Sequence, residues 1–260
     1  MPRAHRYFLP DQVWHLTHRC HDKQFLLKFA HDRHRYLRWL FEAKKRFGLC
    51  VLDYMVTSNH VHLLVKDTGE GVIAKSVQLV AGRTAQEYNQ RKNRHGPFWE
   101  DRYHATAIEA DEHLHRCLVY IDLNMVRAGV INHPVEWAAS GYGEIQAPPR
   151  RYAIIDLAGL SSLCGFADVA TFQLAHRQWV AEALAARAFG RDDRWSQAIA
   201  VGRRGFVDHV QGALGSRARH REVTGTDESF TLREPHRAYA ADSHQENEPL
   251  RAENTFFWEQ

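Results

Sequence analysis

Two histidines separated by one residue, His60 and His62, open a short apolar run that reads Ser-Asn-His-Val-His-Leu-Leu-Val from position 58. Alternate side chains of a β-strand share one face, so we expect both imidazoles on one face and the residues between them in the core. Two imidazoles on one face can form half of a metal site. The alternative is a surface pair without a metal, because a chain with 18 histidines can place two at this spacing by chance.

A second group of reactive side chains lies on a segment with helical periodicity, 111–128. Its apolar residues at positions 114, 118, 121 and 125 form one stripe, and Tyr120, Asn124 and Arg127 fall on another, about a quarter turn away. Side chains four residues apart on a helix lie one above the other. A metal ion held by Asn124 and the histidine pair would therefore lie beside the Tyr120 hydroxyl. The alternative is a boundary tyrosine whose ring packs against a sheet.

In this order, the two motifs resemble the single-tyrosine (HUH, Y1) transposases of the IS200/IS605 class, and most closely their REP-associated branch. The matching residues are the His-Val-His strand and, about sixty residues later, Tyr-Ile-Asp-Leu-Asn-Met-Val-Arg-Ala-Gly. The segment Gly-Pro-Phe-Trp-Glu-Asp-Arg-Tyr, 96–103, resembles the tryptophan-containing segment of that branch, and the resemblance covers about residues 10–143. Two positions depart from it: the insertion-sequence enzymes usually carry glutamine where Asn124 stands, and many REP-associated relatives carry proline where Met125 stands.

The resemblance implies that Tyr120 is the nucleophile of a DNA strand transferase that nicks single-stranded DNA at hairpin-forming repeats. It also implies that His60, His62 and Asn124 bind a divalent metal ion, Mn²⁺ or Mg²⁺. The chemistry is consistent, because a phenol with a pKa near 10 is a poor nucleophile at neutral pH and needs a Lewis acid beside the phosphate. A covalent phosphotyrosine would conserve the phosphodiester energy, which agrees with the absence of a nucleotide-binding glycine loop from the sequence.

Several other residues could contact DNA. Arg127 shares the Tyr120 stripe and could bind a phosphate or form a solvated salt bridge. Trp99 and Tyr103 could stack on unpaired bases, although aromatic residues on a strand are more often core residues. Arg203 and Arg204 begin a stretch with an excess of arginines, which predicts either a contact with the DNA backbone or a solvated basic face.

Composition narrows the class of protein. The chain has 260 residues, 44% of them hydrophobic and 25% charged, which indicates a globular protein rather than a membrane or disordered one. Its net charge of +3 permits nucleic acid as a partner. The four cysteines are widely spaced and the first residues lack a signal sequence, so we expect a cytoplasmic protein. No segment is apolar enough to span a membrane, and a homodimer is one possible assembly.

Hydrophobic periodicity predicts the fold. Strands are expected over 12–20, 49–57, 61–66 and 98–108, and helices over 32–47, 72–91 and 111–128, with Asp32 as the N-cap of the first helix. This βαββαβ order followed by one helix predicts an α+β sandwich of the ferredoxin-like kind. We assign 1–147 to the catalytic domain, 148–223 to a smaller helical extension without strands, and 224–260 to a disordered tail.

Two classes of function fit these observations. The first is a metal-dependent transposase-like enzyme, and the second is a domesticated DNA-binding protein of the same fold with a role in regulation or repeat maintenance. A replication initiator or relaxase is a third, less favoured class. Nicking of single-stranded DNA with Mg²⁺ or Mn²⁺ separates the enzyme from the binding protein, and the presence of His60, His62, Tyr120 and Asn124 together favours the enzyme.

Overall fold

The first half of the chain folds as an antiparallel sheet with two helices packed together. The computed structural model describes residues 9–188, 190–226 and 228–234. The elements are β1 Val13–Arg19, α1 Ala30–Phe47, β2 Cys50–Val56, β3 His60–Lys66, α2 Val72–Lys92 and β4 His104–Ile108. The strand order is β2-β3-β1-β4, every neighbouring pair is antiparallel, and α1 packs against α2. This is the ferredoxin-like arrangement that the sequence predicts.

The local sequence explains these elements. β2 and β3 are rich in valine and leucine and are buried along almost their whole length, because protein covers both faces of the sheet. α1 buries Tyr36, Leu40 and Ala43, which recur at helical spacing. It ends at Gly48, whose φ of +73° lies in the left-handed region that favours glycine, and the Gly48 N–H donates to the Lys44 carbonyl.

Two of the predicted boundaries are wrong. The N-cap of α1 is Phe29, and Asp32 is a buried residue of the first turn that pairs with Arg91 on α2. The Asp32 carboxylate binds a neighbouring helix instead of capping its own. An acidic residue at the start of a helix can do either, and its position in the sequence does not show which. The strand expected over 98–108 begins only at His104. The aromatic segment before His104 is not a regular strand. It forms one isolated bridge, between Trp99 and Cys20.

The helix predicted over 111–128 is interrupted. It forms α3, Glu112–Asp122, and a single further turn, α4, Asn124–Arg127. The break falls at Leu123, whose φ of −80° and ψ of 6° leave the α-helical region. Tyr120 and Asn124 therefore lie on two consecutive helical segments rather than on one.

The described residues after α4 extend the same sheet. Its elements are α5 Gly141–Gln146, α6 Leu157–Leu163, α7 Val169–Ala185, α8 Arg194–Gln197, β5 Ala200–Gly202, α9 Arg204–Leu214, β6 Glu222–Thr226 and β7 Ser229–Arg233. β5 pairs in parallel with β4, and the sheet continues in the order β5-β7-β6. Among the described residues, no helix is long and apolar enough to cross a membrane.

The expectation of a C-terminal region without strands is therefore wrong, and so is a disordered tail that begins at residue 224. β5 has only three residues, too few to show a period of two. β6 and β7 form a largely polar hairpin with a Thr224–Thr231 hydroxyl contact of 3.1 Å. It is stabilised by pairing with β5 rather than by its own apolar residues, of which Leu232 is buried. The rest of the predicted tail, 235–260, lies outside the described residues.

Candidate active site

The histidine pair lies on one face of β3, as period two requires. Strand β1 runs beside it with Thr17 opposite His62 and Arg19 opposite His60. His62 is only 3% exposed and His60 is half-buried, and their ring centroids lie 4.9 Å apart. A tight turn at Ser58 and Asn59 joins β3 to β2, as predicted. The turn and the register together present both imidazoles at one end of the sheet.

Both imidazoles are neutral at neutral pH. Burial lowers the pKa of His60 to about 4, with a further contribution from Arg19, and burial and the neighbouring His60 lower that of His62. His60 donates from Nδ1 to the Asn59 side-chain oxygen, 2.8 Å away, because the Asn59 amide nitrogen is already a donor to the Lys23 carbonyl. In the neutral ring Nε2 of His60 is then unprotonated, as a metal ligand must be.

The Tyr120 ring lies beside the histidine pair. Its centroid is 6.1 Å from that of His62, and the two ring planes are nearly perpendicular at 86°. The guanidinium of Arg127 lies over the Tyr120 ring, 4.2 Å from its centroid. Burial raises the pKa of Tyr120, and the positive charge of Arg127 opposes that rise. Arg127 therefore stabilises the phenolate form of the only tyrosine in this cleft among the described residues.

Asn124 connects the helical segments to the strand. Its side-chain Nδ2 lies 2.9 Å from Nε2 of His62, although the two residues are on α4 and β3. The amide is 8% exposed. The interruption at Leu123 turns α4 so that Asn124 reaches His62 while Tyr120 stays on α3.

These side chains line one open cleft of about 490 Å³. Its charged walls carry four arginines and two acids, which are Arg19, Arg102, Arg127, Arg191, Glu100 and Asp101. Arg19, Arg127 and Arg191 are each close enough to lower the pKa of His60. The cleft therefore has an excess of positive charge, which favours an anionic ligand.

The donor set fits a divalent metal ion. Two neutral imidazoles and one amide oxygen are ligands that Mn²⁺ accepts, and together they would hold such an ion at the cleft. Asn124 currently presents Nδ2 to His62, and half a turn of the amide plane replaces it with Oδ1. Within the described ranges, no cluster of three His, Cys, Asp or Glu side chains could hold a metal ion. The proposed ligand set therefore needs the Asn124 amide as its third member.

The other sequence-predicted DNA contacts are dispersed. Trp99 is half-buried, stacks on His18 at 4.0 Å and donates from Nε1 to the Ala81 carbonyl. Tyr103 is 3% exposed, so its ring face is not available to a base. Arg203 and Arg204 are exposed at the start of α9, outside the residues that line the cleft. Arg204 pairs with Asp208 at 3.0 Å.

Sequence reasoning missed several residues of the cleft, namely Arg19, His104, Arg191, Ser196 and Gln197. Arg19 occupies the β1 position opposite His60, and period two along β1 would have shown it once the register was known. Arg191 and Gln197 come from the region after α7, and no local pattern connects that region to the histidine pair.

The structure thus brings a histidine pair and one tyrosine together at one end of a ferredoxin-like sheet. Residues 10–124 match the model of a family described as "Transposase IS200 like". This segment, less than half of the chain, contains both histidines, Tyr120 and Asn124. The match confirms the resemblance to IS200-class transposases seen in the sequence.

Several solved structures are similar, two of which are the following. One, described as a REP-associated tyrosine transposase bound to a REP hairpin, is 15% identical, with a TM-score of 0.49 over 65% of this chain and 93% of that one. The other, a candidate transposase from Deinococcus radiodurans R1, is 18% identical, with a TM-score of 0.31 over 40% of this chain and 83% of that one. No curated protein matches the sequence at a significant level.

Proposed function

We propose that this protein cleaves and rejoins single-stranded DNA through a covalent bond to Tyr120, with a divalent ion bound by His60, His62 and Asn124. The observation that carries the proposal is the convergence of the Tyr120 ring, the His62 imidazole and the Asn124 amide on one cationic cleft. Phosphodiester transfer needs a nucleophile, a metal-ligand set and positive charge that binds the phosphate, all in one place.

The proposed step is a transesterification. Tyr120 Oη loses its proton to solvent and attacks phosphorus, so that an Oη–P bond forms while the P–O3′ bond breaks. The 3′ oxygen leaves and takes up a proton, and the phosphate stays joined to the 5′ carbon. The reverse attack by a 3′ hydroxyl restores the tyrosine and a phosphodiester, so rejoining consumes no nucleotide cofactor.

The residues of the cleft have different roles in this step. Arg19 and Arg191 bind the phosphate electrostatically, and Arg127 favours the phenolate of Tyr120. His60, His62 and Asn124 would hold a divalent ion, Mn²⁺ or Mg²⁺, which when bound would act as a Lewis acid toward the phosphate. The neutral state of both histidines keeps their lone pairs available for it.

The substrate is single-stranded. Tyr120 is half-buried in the wall of the cleft, so a phosphate reaches its hydroxyl only when the strand enters the cleft. An unpaired strand enters more easily than a duplex. Hairpin-forming repeats are the substrate class that the family resemblance implies, and they place such single-stranded flanks beside a stem.

The test uses the full chain with a fluorescent hairpin oligonucleotide that has single-stranded flanks, and the fully paired duplex as its control. With Mn²⁺ we expect a denaturant-resistant protein–DNA adduct from the hairpin and little from the duplex, and EDTA abolishes it. Tight binding without any adduct in either metal would contradict the proposal and favour the DNA-binding role.

A further inference from the structure

A buried chain of hydrogen bonds connects the C-terminal region to His62. The Trp195 carbonyl lies 2.7 Å from Nδ1 of His15, and Nε2 of His15 lies 2.9 Å from Nδ1 of His62. Nε2 of His62 then meets the Asn124 amide. His15 is completely buried on β1 and lies outside the residues that line the cleft. His62, one of the proposed metal ligands, therefore has a buried hydrogen-bond partner that does not itself line the cleft.

The geometry of the two rings is that of a strong hydrogen bond. The ring planes of His15 and His62 differ by 12°, and their centroids are 5.0 Å apart. With nitrogens only 2.9 Å apart, this separation means that the rings meet edge to edge rather than face to face. An N–H of one ring then points along the in-plane lone pair of the other.

Only one arrangement of protons satisfies this chain when both rings are neutral. A carbonyl oxygen only accepts, so His15 must donate from Nδ1 to Trp195. A neutral imidazole has one N–H, which leaves Nε2 of His15 as an acceptor for Nδ1–H of His62. Nε2 of His62 is then unprotonated and faces Asn124. The backbone carbonyl of Trp195 thus determines which nitrogen of His62 is free.

The Trp195 carbonyl is itself held in place. It belongs to the four-residue helix α8, whose carbonyls have few partners within the helix. The carbonyls of Trp195 and Ala198 accept from the sheet instead, from Thr106 at 3.4 and 2.7 Å and, at Ala198, from His104 at 2.9 Å. Trp195 lies well beyond the segment 10–124 that matches the transposase family.

We propose that His15 is a positioning residue that fixes His62 in the tautomer with a free Nε2, and that the C-terminal segment at Trp195 sets this tautomer. The inference rests on the proposed metal site. It makes the region after residue 124 part of the active-site architecture, although that region supplies no ligand to the metal. Partners of this kind tune ligand histidines, and their loss typically weakens metal affinity by about 10- to 100-fold.

The first test is made on the metal-free protein. Nitrogen-15 NMR of histidine-labelled protein reports which ring nitrogen carries the proton, and the His62→Ala spectrum assigns the signal. We expect His62 to be a single tautomer protonated at Nδ1. A His62 protonated at Nε2 in the wild-type protein would overturn the inference, whatever the variants do.

Three variants then test the role of His15. His15→Phe removes the acceptor and keeps the buried ring, whereas His15→Gln places Oε1 near the position of Nε2 and restores the acceptor. The control, His113→Phe, makes the same substitution at another buried histidine, which is 2% exposed and lies 3.4 Å from Glu109. We expect His15→Phe to lose the single-tautomer signal and to bind Mn²⁺ about 10- to 100-fold more weakly, with His15→Gln and His113→Phe near the wild type.

Calorimetric titration with Mn²⁺ distinguishes a failure of the proposed metal site from a failure of the positioning role of His15. If the wild-type protein binds no Mn²⁺, the proposed metal site is wrong. The tautomer of His62 is still decided separately, by the NMR spectrum. If the wild type binds and a folded His15→Phe shows the same tautomer and the same affinity, the positioning role of His15 is wrong. If His15→Phe does not fold, the comparison of His15→Gln with the wild type decides: loss of the single tautomer in His15→Gln overturns the inference.

Discussion

The guanidinium of Arg127 lies 4.2 Å from the centroid of the Tyr120 ring and donates from Nη2 to the Tyr120 backbone carbonyl at 3.0 Å. In an uninterrupted helix that carbonyl would accept from the N–H of residue 124, but the helix breaks at Leu123. Arg127 therefore both supports the backbone at the break and places a positive charge against the nucleophile.

Replacing Arg127 by glutamine should slow adduct formation by about tenfold or more, because a pKa change of one unit corresponds to about 1.4 kcal/mol. The positive charge lowers the pKa of Tyr120 against the effect of burial, so its removal raises that pKa and moves the alkaline rise in rate to higher pH. Arg127→Lys, which keeps the charge, is the control. Single-turnover rates across pH measure both, and an unmoved profile in Arg127→Gln would contradict this role.

The histidine pair makes the metal prediction testable. His60→Ala and His62→Ala should each abolish cleavage and Mn²⁺ binding, and more oligonucleotide should not restore either, because a ligand rather than a DNA contact is lost. His18→Ala is a useful control, since this histidine lines the same cleft without belonging to the proposed ligand set. Undiminished cleavage in either ligand variant would exclude the assignment.

The ligand set also predicts a metal preference. Two nitrogens and one amide oxygen suit Mn²⁺ better than Mg²⁺, which prefers oxygen ligands in octahedral geometry. At equal, low concentrations Mn²⁺ should therefore support faster adduct formation than Mg²⁺. Equal rates under those conditions would count against His60 and His62 as direct ligands.

A buried network beneath α3 predicts a pH dependence of stability. His176 Nε2 lies 2.8 Å from Asp122 Oδ2, both side chains are fully buried, and Gln146 Nε2 lies 3.0 Å from Nδ1 of the same ring. Burial lowers the pKa of His176 from 6.5 to about 4. As the pH falls between these values, the unfolded chain binds a proton that the folded chain does not, so stability is lost on acidification.

The variant His176→Gln keeps a donor for Asp122 and an acceptor for Gln146 but does not titrate. The free energy of unfolding of the wild type should therefore fall more than that of the variant between about pH 7 and about pH 4.5, by on the order of 2–3 kcal/mol. Urea unfolding at the two pH values measures the difference. Parallel changes in both proteins would show that folding does not lower the pKa of His176.

The sequence predicts the parts of the site that depend on local period. The period-two pattern predicts that His60 and His62 share a face, and the ferredoxin-like order of elements agrees with the structure. The register between strands is not local: Arg19 reaches the cleft because it pairs with His60, and His15 reaches His62 because β1 lies between β3 and β4. Neither pairing is encoded in the spacing of the residues themselves.

The break in the helix at Leu123 is a second feature that the sequence does not predict. The apolar positions between 111 and 128 continue at helical spacing across the break, so periodicity predicts one helix. What interrupts it is tertiary: Arg127 bonds to the Tyr120 carbonyl and Asn124 bonds to His62. The β6–β7 hairpin is similar, because its stability comes from β5, an element too short to predict.

The covalent bond to Tyr120 is tested most directly by mass spectrometry of the adduct formed with a hairpin oligonucleotide and Mn²⁺, wild type against Tyr120→Phe. We expect the wild-type adduct to yield a tryptic peptide that contains Tyr120 joined to a 5′-phosphate. The variant should form no denaturant-resistant adduct and should bind the oligonucleotide within about threefold of the wild type, because only a hydroxyl is lost. An adduct in Tyr120→Phe, or a wild-type adduct on another peptide, would contradict the account.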